Sequence, residues 1–278
     1  MRKVAICISG ETRTFNTKSY QELKTLTEKL SVRGFEFDFY GHTWDHCEDP
    51  DPSLLPFKKI IKEPLSIIDK WVMAEFLTRA FFDRKYPIKV SQRQDPEKIV
   101  DFYLQASRAG YGQLISAFNC FKLIDIDQYD LVIRARWDCK FKDLDIAYVI
   151  ETLVSQMNKA QVAAENNSPL VLASSDTRIM PYSASKKYVR QPAISLGDLF
   201  FVFNKFSFTS IMNKPVFTII EHINDSTTKT HHNFRNHQLW SEILLRCDIY
   251  IDTTLPNIFE THRTPGDEMK SISGWSAN

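Results

Sequence analysis

Apolar residues along the chain fall into short bursts at two spacings. Val4–Ile8 is a continuous apolar run closed by Ser9-Gly10-Glu11-Thr12-Arg13, which reads as a buried strand and the turn after it. Asn16 or Thr17 then caps a helix carrying Tyr20, Leu23, Leu26 and Leu30 on one face. Phe35, Phe37 and Phe39 alternate with Glu36, Asp38 and Tyr40 and predict a second strand, ending at Gly41-His42-Thr43-Trp44-Asp45. Pro50, Pro52 and Pro56 mark a loop before a short strand over 59–62. Helices are expected over 66–82 and 95–107. Tyr111, Leu114, Ile115 and Phe118 repeat at helical spacing, and the run Leu-Val-Ile-Arg-Ala-Arg-Trp-Asp at 131–138 is the next strand. Ile146, Val149, Ile150, Leu153, Val154 and Met157 form the cleanest amphipathic helix.

Further strands are predicted at 170–173 and 199–203, separated by a polar stretch over 174–195. A helix broken at Pro215, a polar loop over 224–236, a helix over 237–247 and a strand over 249–253 complete the chain. No repeat or low-complexity segment interrupts it. Strands alternating with helices in a β-α-β order predict an α/β fold, with a mostly parallel central sheet covered by helices on both faces.

Composition narrows the chemistry. Only 8 of 278 residues are glycine, well under the roughly 7% of ordinary proteins. A Gly-rich phosphate loop has almost nowhere to be built. The sequence lacks GxGxxG, GxxxxGK[ST], GxSxG and HExxH, so Rossmann dehydrogenases, P-loop enzymes, α/β-hydrolases and zincins fit poorly. Lys plus Arg total 35 against 34 acidic residues, a net charge of +1, which excludes a strongly basic coat but not a local basic patch. The five cysteines form no CxxC pair and are expected as reduced thiols in a cytoplasmic setting. Neither a signal-peptide core nor a run of membrane-spanning length is present, so the expectation is a soluble protein without a membrane partner.

Three predicted strands end in polar clusters: 9–13, 41–45 and 134–138. Ligands of open parallel sheets bind outside the carboxyl ends of strands, so neighbouring strands here would aim these clusters at one crevice. Strand-end polarity that merely meets water is the competing reading. In the third cluster, Val132, Arg134, Arg136 and Asp138 share one face and Leu131, Ile133, Ala135 and Trp137 the other. Two guanidiniums on an apolar strand suit a phosphorylated ligand, which arginine grips in bidentate fashion; an internal Arg–Asp ion-pair network suits them as well. Asp138 is placed to hold a hard divalent cation. Ser9, Gly10, Arg13 and Thr14 precede a helix, whose N-terminus favours anions, although an ordinary strand-to-helix turn explains Gly10 equally well. Trp44 is placed to stack on a base or sugar and His42 to hydrogen-bond or titrate, although a lone His or Trp is also an ordinary core residue. Asp198 and Glu242 are the candidate general bases toward an acceptor hydroxyl, with a solvated face the competing reading for both and the stronger one for Glu242. His231, His232 and His237 lack the spacing of a metal site.

As a set, VAICISGETRTF, FDFYGHTWD, YDLVIRARWDCKF and GDLFFVFNKF resemble a family of glycosyltransferases from phages, large viruses and bacteria. The resemblance spans about residues 3–210. It implies a single GT-A-like domain over 1–278, with a nucleotide-sugar-binding half at 1–140 and an acceptor-side half at 141–278. It also implies a UDP-type nucleotide-sugar donor facing Ser9, Gly10 and Arg13, with His42 and Trp44 nearby, and a diphosphate with Mn²⁺ or Mg²⁺ at Arg134, Arg136 and Asp138. Asp198 would stand near the acceptor. The family's full D-x-D pattern is absent, because Cys139 and Lys140 follow Asp138, so Lys140 and the arginines are alternative partners for the leaving diphosphate. The Lys-, Asn- and Phe-rich, glycine-poor composition also resembles proteins of T-even-type phages, which glycosylate hydroxymethylcytosine in their own DNA with glucose or arabinose. That implies double-stranded DNA as acceptor, met by Lys186, Lys187, Arg190 and Arg235. Surface polysaccharide or lipopolysaccharide is the alternative acceptor, and a non-catalytic nucleotide- or glycan-binding module the alternative class.

Overall fold

Val4 to Ile8 expose almost no surface, as a strand covered on both sides must, and this strand lies at the centre of the fold. A computed structural model describes residues 1–12, 15, 19–51, 53–69, 111–142, 144–175, 196–215, 218, 236–256 and 258–261. Strands β1 (Arg2–Ser9), β2 (Phe35–Trp44), β3 (Phe57–Glu63), β4 (Leu131–Arg136), β6 (Leu170–Ser175), β7 (Leu196–Asn204) and β8 (Tyr250–Leu255) form one sheet in the order β3-β2-β1-β4-β7-β6-β8. β7 runs antiparallel to both its neighbours, while every other pairing is parallel. Six strands therefore end at the same edge. The short strands β5 (Cys139–Phe141) and β9 (Phe259–Thr261), which no sequence pattern announces, pair separately.

Alternation sorts side chains to two faces. On one, Ala5, Cys7, Val132, Phe201 and Phe203 pack under three helices: α2 (111–121), α4 (Lys205–Asn213) and α5 (Asn236–Arg246). On the other, Val4, Ile6, Ile8, Ile133 and Val202 pack under α1 (Tyr20–Ser31) and α3 (Ile146–Glu165). The α/β architecture with a mostly parallel, doubly covered sheet is thus the one the sequence predicts. Caps follow local chemistry: Asp145 accepts from the Ala147 N–H at 2.9 Å to start α3, and Asn204 accepts from the Ser207 N–H at 2.9 Å to start α4. α4 ends at Asn213, ahead of Pro215.

Boundaries differ in places. α1 begins at Tyr20 after Ser19, which makes no side-chain cap bond, and Asn16 and Thr17 lie outside the described residues. β4 stops at Arg136 rather than continuing to Asp138. β7 begins at Leu196, so Asp198 is inside the strand rather than at its start. The predicted helix over 95–107, most of that over 66–82, and the polar stretches 176–195 and 224–235 lie outside the described residues. Among those described, no helix is long and apolar enough to cross a membrane.

Candidate functional site

The three polar clusters meet. Parallel register pairs Ser9 of β1 with His42 of β2 on one side and with Arg136 of β4 on the other. The chain leaves β1 toward β2 and β3, then returns to β1's other flank as β4, so the strand order reverses between β1 and β4. Such a switch point, outside the carboxyl ends, is where open α/β sheets bind ligands. Register also brings in Asp198: Phe200 pairs with Ala135, so Asp198, two residues earlier on antiparallel β7, stands at the carboxyl end of β4.

The polar groups at this edge are engaged with one another. Arg136 Nε and Nη2 donate to the two Asp138 carboxylate oxygens at 2.8 and 2.7 Å, and Nη1 donates to Gln113 Oε1 at 3.3 Å. The pair is nearly buried, Arg136 retaining 10% of its side-chain exposure and Asp138 3%. The internal ion pair weighed above is therefore present. A divalent cation on Asp138 does not fit this arrangement, because both carboxylate oxygens face a guanidinium. Nor does any group of three His, Cys, Asp or Glu among the described residues suit a metal ion.

Arg134 corrects a second expectation. Two residues further into the strand, about 6.6 Å at an ordinary strand rise, it is fully buried. Its guanidinium lies 5.6 Å from the Phe201 ring centre and 5.5 Å from that of Trp240, a cation–π contact with two rings that also touch each other beneath α5. The strand alternation that puts Arg134 on the same face as Arg136 is right, but depth separates their environments.

The turn after β1 departs as well. Gly10 has φ +112°, a backbone conformation only glycine adopts without strain, and its N–H donates to Ser116 Oγ at 2.7 Å rather than pointing free for an anion. Thr12 donates its hydroxyl to the Glu48 carbonyl at 2.8 Å. Ser9 Oγ is buried with no hydrogen-bond partner among the described residues. Arg13 and Thr14 lie outside them, as do Lys186, Lys187, Arg190, Arg235, His231 and His232.

His42 is a hub rather than an exposed ligand. Its Nε2 lies 2.7 Å from Glu63 Oε2 and its Nδ1 2.8 Å from Ser116 Oγ. A carboxylate only accepts, so Nε2 carries the proton and Nδ1 accepts from the Ser116 hydroxyl. Burial lowers the His42 pKa from its usual 6.5, with Glu63 opposing. Its carbonyl accepts from Trp137 Nε1 at 2.9 Å. Trp44, expected over a base or sugar, is buried to 2% and packs edge-on against His42 with ring centres 5.0 Å apart. Its large apolar ring is drawn into the core cluster that also holds Tyr111 and Ile68.

Sequence reasoning missed Gln113, Ser116, Asn119 and Glu63. The signal was there: Gln113, Ser116 and Asn119 recur every three residues within an apolar helix, a polar stripe on one face. Each meets one part of the edge, Gln113 reaching Arg136, Ser116 reaching Gly10 and His42, and Asn119 reaching Glu63.

Two other groups are not brought to this cluster. Glu242 accepts from Arg246 Nε at 2.9 Å along α5. α5 ends just before β8 begins, at the amino edge of the parallel strands, so this pair turns away from the crevice. The cysteines are all free thiols. Burial raises the pKa of Cys120, of Cys139 and of Cys247, the last pushed up to about 11, so these three are not activated nucleophiles. On the opposite face of the same edge, a small pocket is lined by Phe15, Glu22, Trp137, Lys140, Phe200 and Phe259.

No protein-family model matches the chain, and no curated protein matches its sequence. Solved structures give likenesses. The apo form of mouse xyloside xylosyltransferase 1 has a TM-score of 0.42 and 9% identity, over 91% of this chain and 84% of that one. The galactosyltransferase LgtC in complex with donor and acceptor sugar analogs has a TM-score of 0.42 and 8% identity, over 99% and 92%. An active-site mutant of LgtC has a TM-score of 0.45 and 8% identity, over 87% and 70%. At this identity and superposition, they assign no role to any residue here.

Proposed function

We propose that this chain is a glycosyltransferase that moves a sugar from a nucleotide-sugar donor, of UDP type, to an acceptor hydroxyl. The observation that carries the reading is the register of Ser9 between His42 and Arg136 at the switch point of the sheet, the place where an α/β fold presents a ligand crevice. The four sequence motifs that resemble the GT-A-like family fall on β1, β2, β4 and β7, the strands that build this edge. Arg136, whose side chain keeps 10% of its exposure at this edge, meets the donor diphosphate. A guanidinium facing the diphosphate stabilises the charge that grows on it as the glycosidic bond breaks. Asp198, rather than Glu242, takes the proton from the acceptor hydroxyl, because register puts its backbone at the same edge.

The acceptor we propose is 5-hydroxymethylcytosine in double-stranded phage DNA, receiving glucose or arabinose; this rests on the compositional resemblance alone. Calorimetric titration with UDP- and GDP-sugars tests the donor, and mass spectrometry of hydroxymethylated DNA after incubation tests the acceptor. The wild-type chain should bind a nucleotide-sugar, and Arg136→Ala should weaken binding by about 10- to 100-fold, the range of a charge-assisted hydrogen-bonded contact. Equal binding by both would refute the site. Binding without donor hydrolysis or sugar transfer would favour the non-catalytic module, and transfer only to polysaccharide would replace the DNA acceptor.

A further inference from the structure

The carboxyl ends of four strands are tied together around one buried residue. His42, at the end of β2, donates through Nε2 to Glu63 at the end of β3. Through Nδ1 it accepts from Ser116, whose oxygen in turn accepts from the Gly10 N–H at the end of β1. Its carbonyl receives the Trp137 indole N–H just past the end of β4. His42 and Ser116 are both fully buried, so neither touches a ligand in the crevice. Ser116 has one hydroxyl proton. Donating it to His42 leaves the oxygen to accept from Gly10, so the imidazole at one end of the chain sets the direction of the Gly10 peptide at the other.

We infer that His42 is a positioning residue which, acting through Ser116, holds the Gly10 peptide and with it the β1 side of the donor crevice. The inference rests on the proposed donor site. It predicts a difference that general core damage would not produce. Asparagine at position 42 puts an amide oxygen where Nδ1 accepts and keeps the bond from Ser116, whereas glutamine reaches Glu63 and loses Ser116. Both remove a ring from the core and cost comparable stability. Without the link, the buried Gly10 N–H and Ser116 hydroxyl compete for poorer partners.

The test measures, in the intact chain, UDP-sugar dissociation constants, melting temperatures and hydrogen exchange at the Gly10 amide. His42→Asn is expected within about threefold of wild type in affinity, while His42→Gln and Ser116→Ala weaken it about tenfold or more and exchange faster at Gly10. Equal affinity losses in the Asn and Gln variants at equal melting temperature, or no loss in any variant, would overturn the positioning role. Unchanged exchange at Gly10 in Ser116→Ala would overturn the link itself. If the wild-type chain bound no nucleotide-sugar although Gly10 exchange responded as expected, the functional reading would fail and the positioning of a donor with it, leaving only the hydrogen-bonded chain established.

Discussion

His42 shows how burial converts a titratable side chain into a structural one. The imidazole is neutral because desolvation outweighs the pull of Glu63. A histidine whose folded pKa lies below its unfolded value binds protons less readily when folded, so its contribution to stability is present above the unfolded pKa and lost as pH falls below it. The melting temperature of the wild-type chain should therefore drop on going from pH 7.5 to 5.5, and His42→Asn should lack that component. Parallel curves for the two proteins would contradict the protonation state assigned here. At this scale the sequence was informative about which residues gather and less so about what each does. Arg134, Arg136 and Asp138 were legible as one face of a strand, but whether Asp138 meets a metal or Arg136 depends on side-chain direction past the strand end, which periodicity does not encode. Trp44 read equally well as a stacking platform or a core residue, and its size decides for the core once a helix covers it.

Among the elements, β2 and β4 are locked by a steric fit as well as by hydrogen bonds. A Cβ added at Gly41 would lie 3.1 Å from Trp137 Cη2 and 3.2 Å from Ile60 Cγ1. The indole cannot easily give way, being held by its N–H bond to His42 and by an edge contact with Phe15, ring centres 4.6 Å apart. Gly41→Ala should cost about 1–3 kcal/mol through overpacking and lower the melting temperature by several degrees. A variant as stable as wild type in thermal unfolding would show that the Trp137 lock is looser than its contacts indicate. The apolar pattern of α3 ended at Met157 whereas the helix runs on to Glu165, and that of β1 spanned only Val4–Ile8 whereas the strand covers Arg2–Ser9, yet such strongly periodic elements were legible in kind and place. β5 and β9 were not, because three-residue strands carry too few alternating positions to distinguish them from loop. The stripe of Gln113, Ser116 and Asn119 was present in the sequence, but its meaning needs the strand ends that α2 crosses.

For the molecule as a whole, the scarcity of glycine has a structural counterpart. Gly10, one of the 8 glycines, sits in the turn after β1, and its amide is used internally. In the proposed function the diphosphate is therefore met by a side chain, Arg136, rather than by a cradle of backbone amides. The parallel direction of six strands was foreseeable from the β-α-β order, whereas the reversal of β7 was not, since an antiparallel strand buried on both faces has the same apolar pattern as a parallel one. That reversal is what carries Asp198 to the edge shared by β1, β2 and β4.

The proposed nucleotide-sugar would lie across the carboxyl ends of β1 and β4, and a crystal structure of the chain with a bound UDP-sugar tests that placement most directly. The diphosphate should lie at the end of β1, within hydrogen-bond reach of the Arg136 guanidinium, with His42 still bridging Glu63 and Ser116. A diphosphate bound away from Arg136 and the switch point would contradict it.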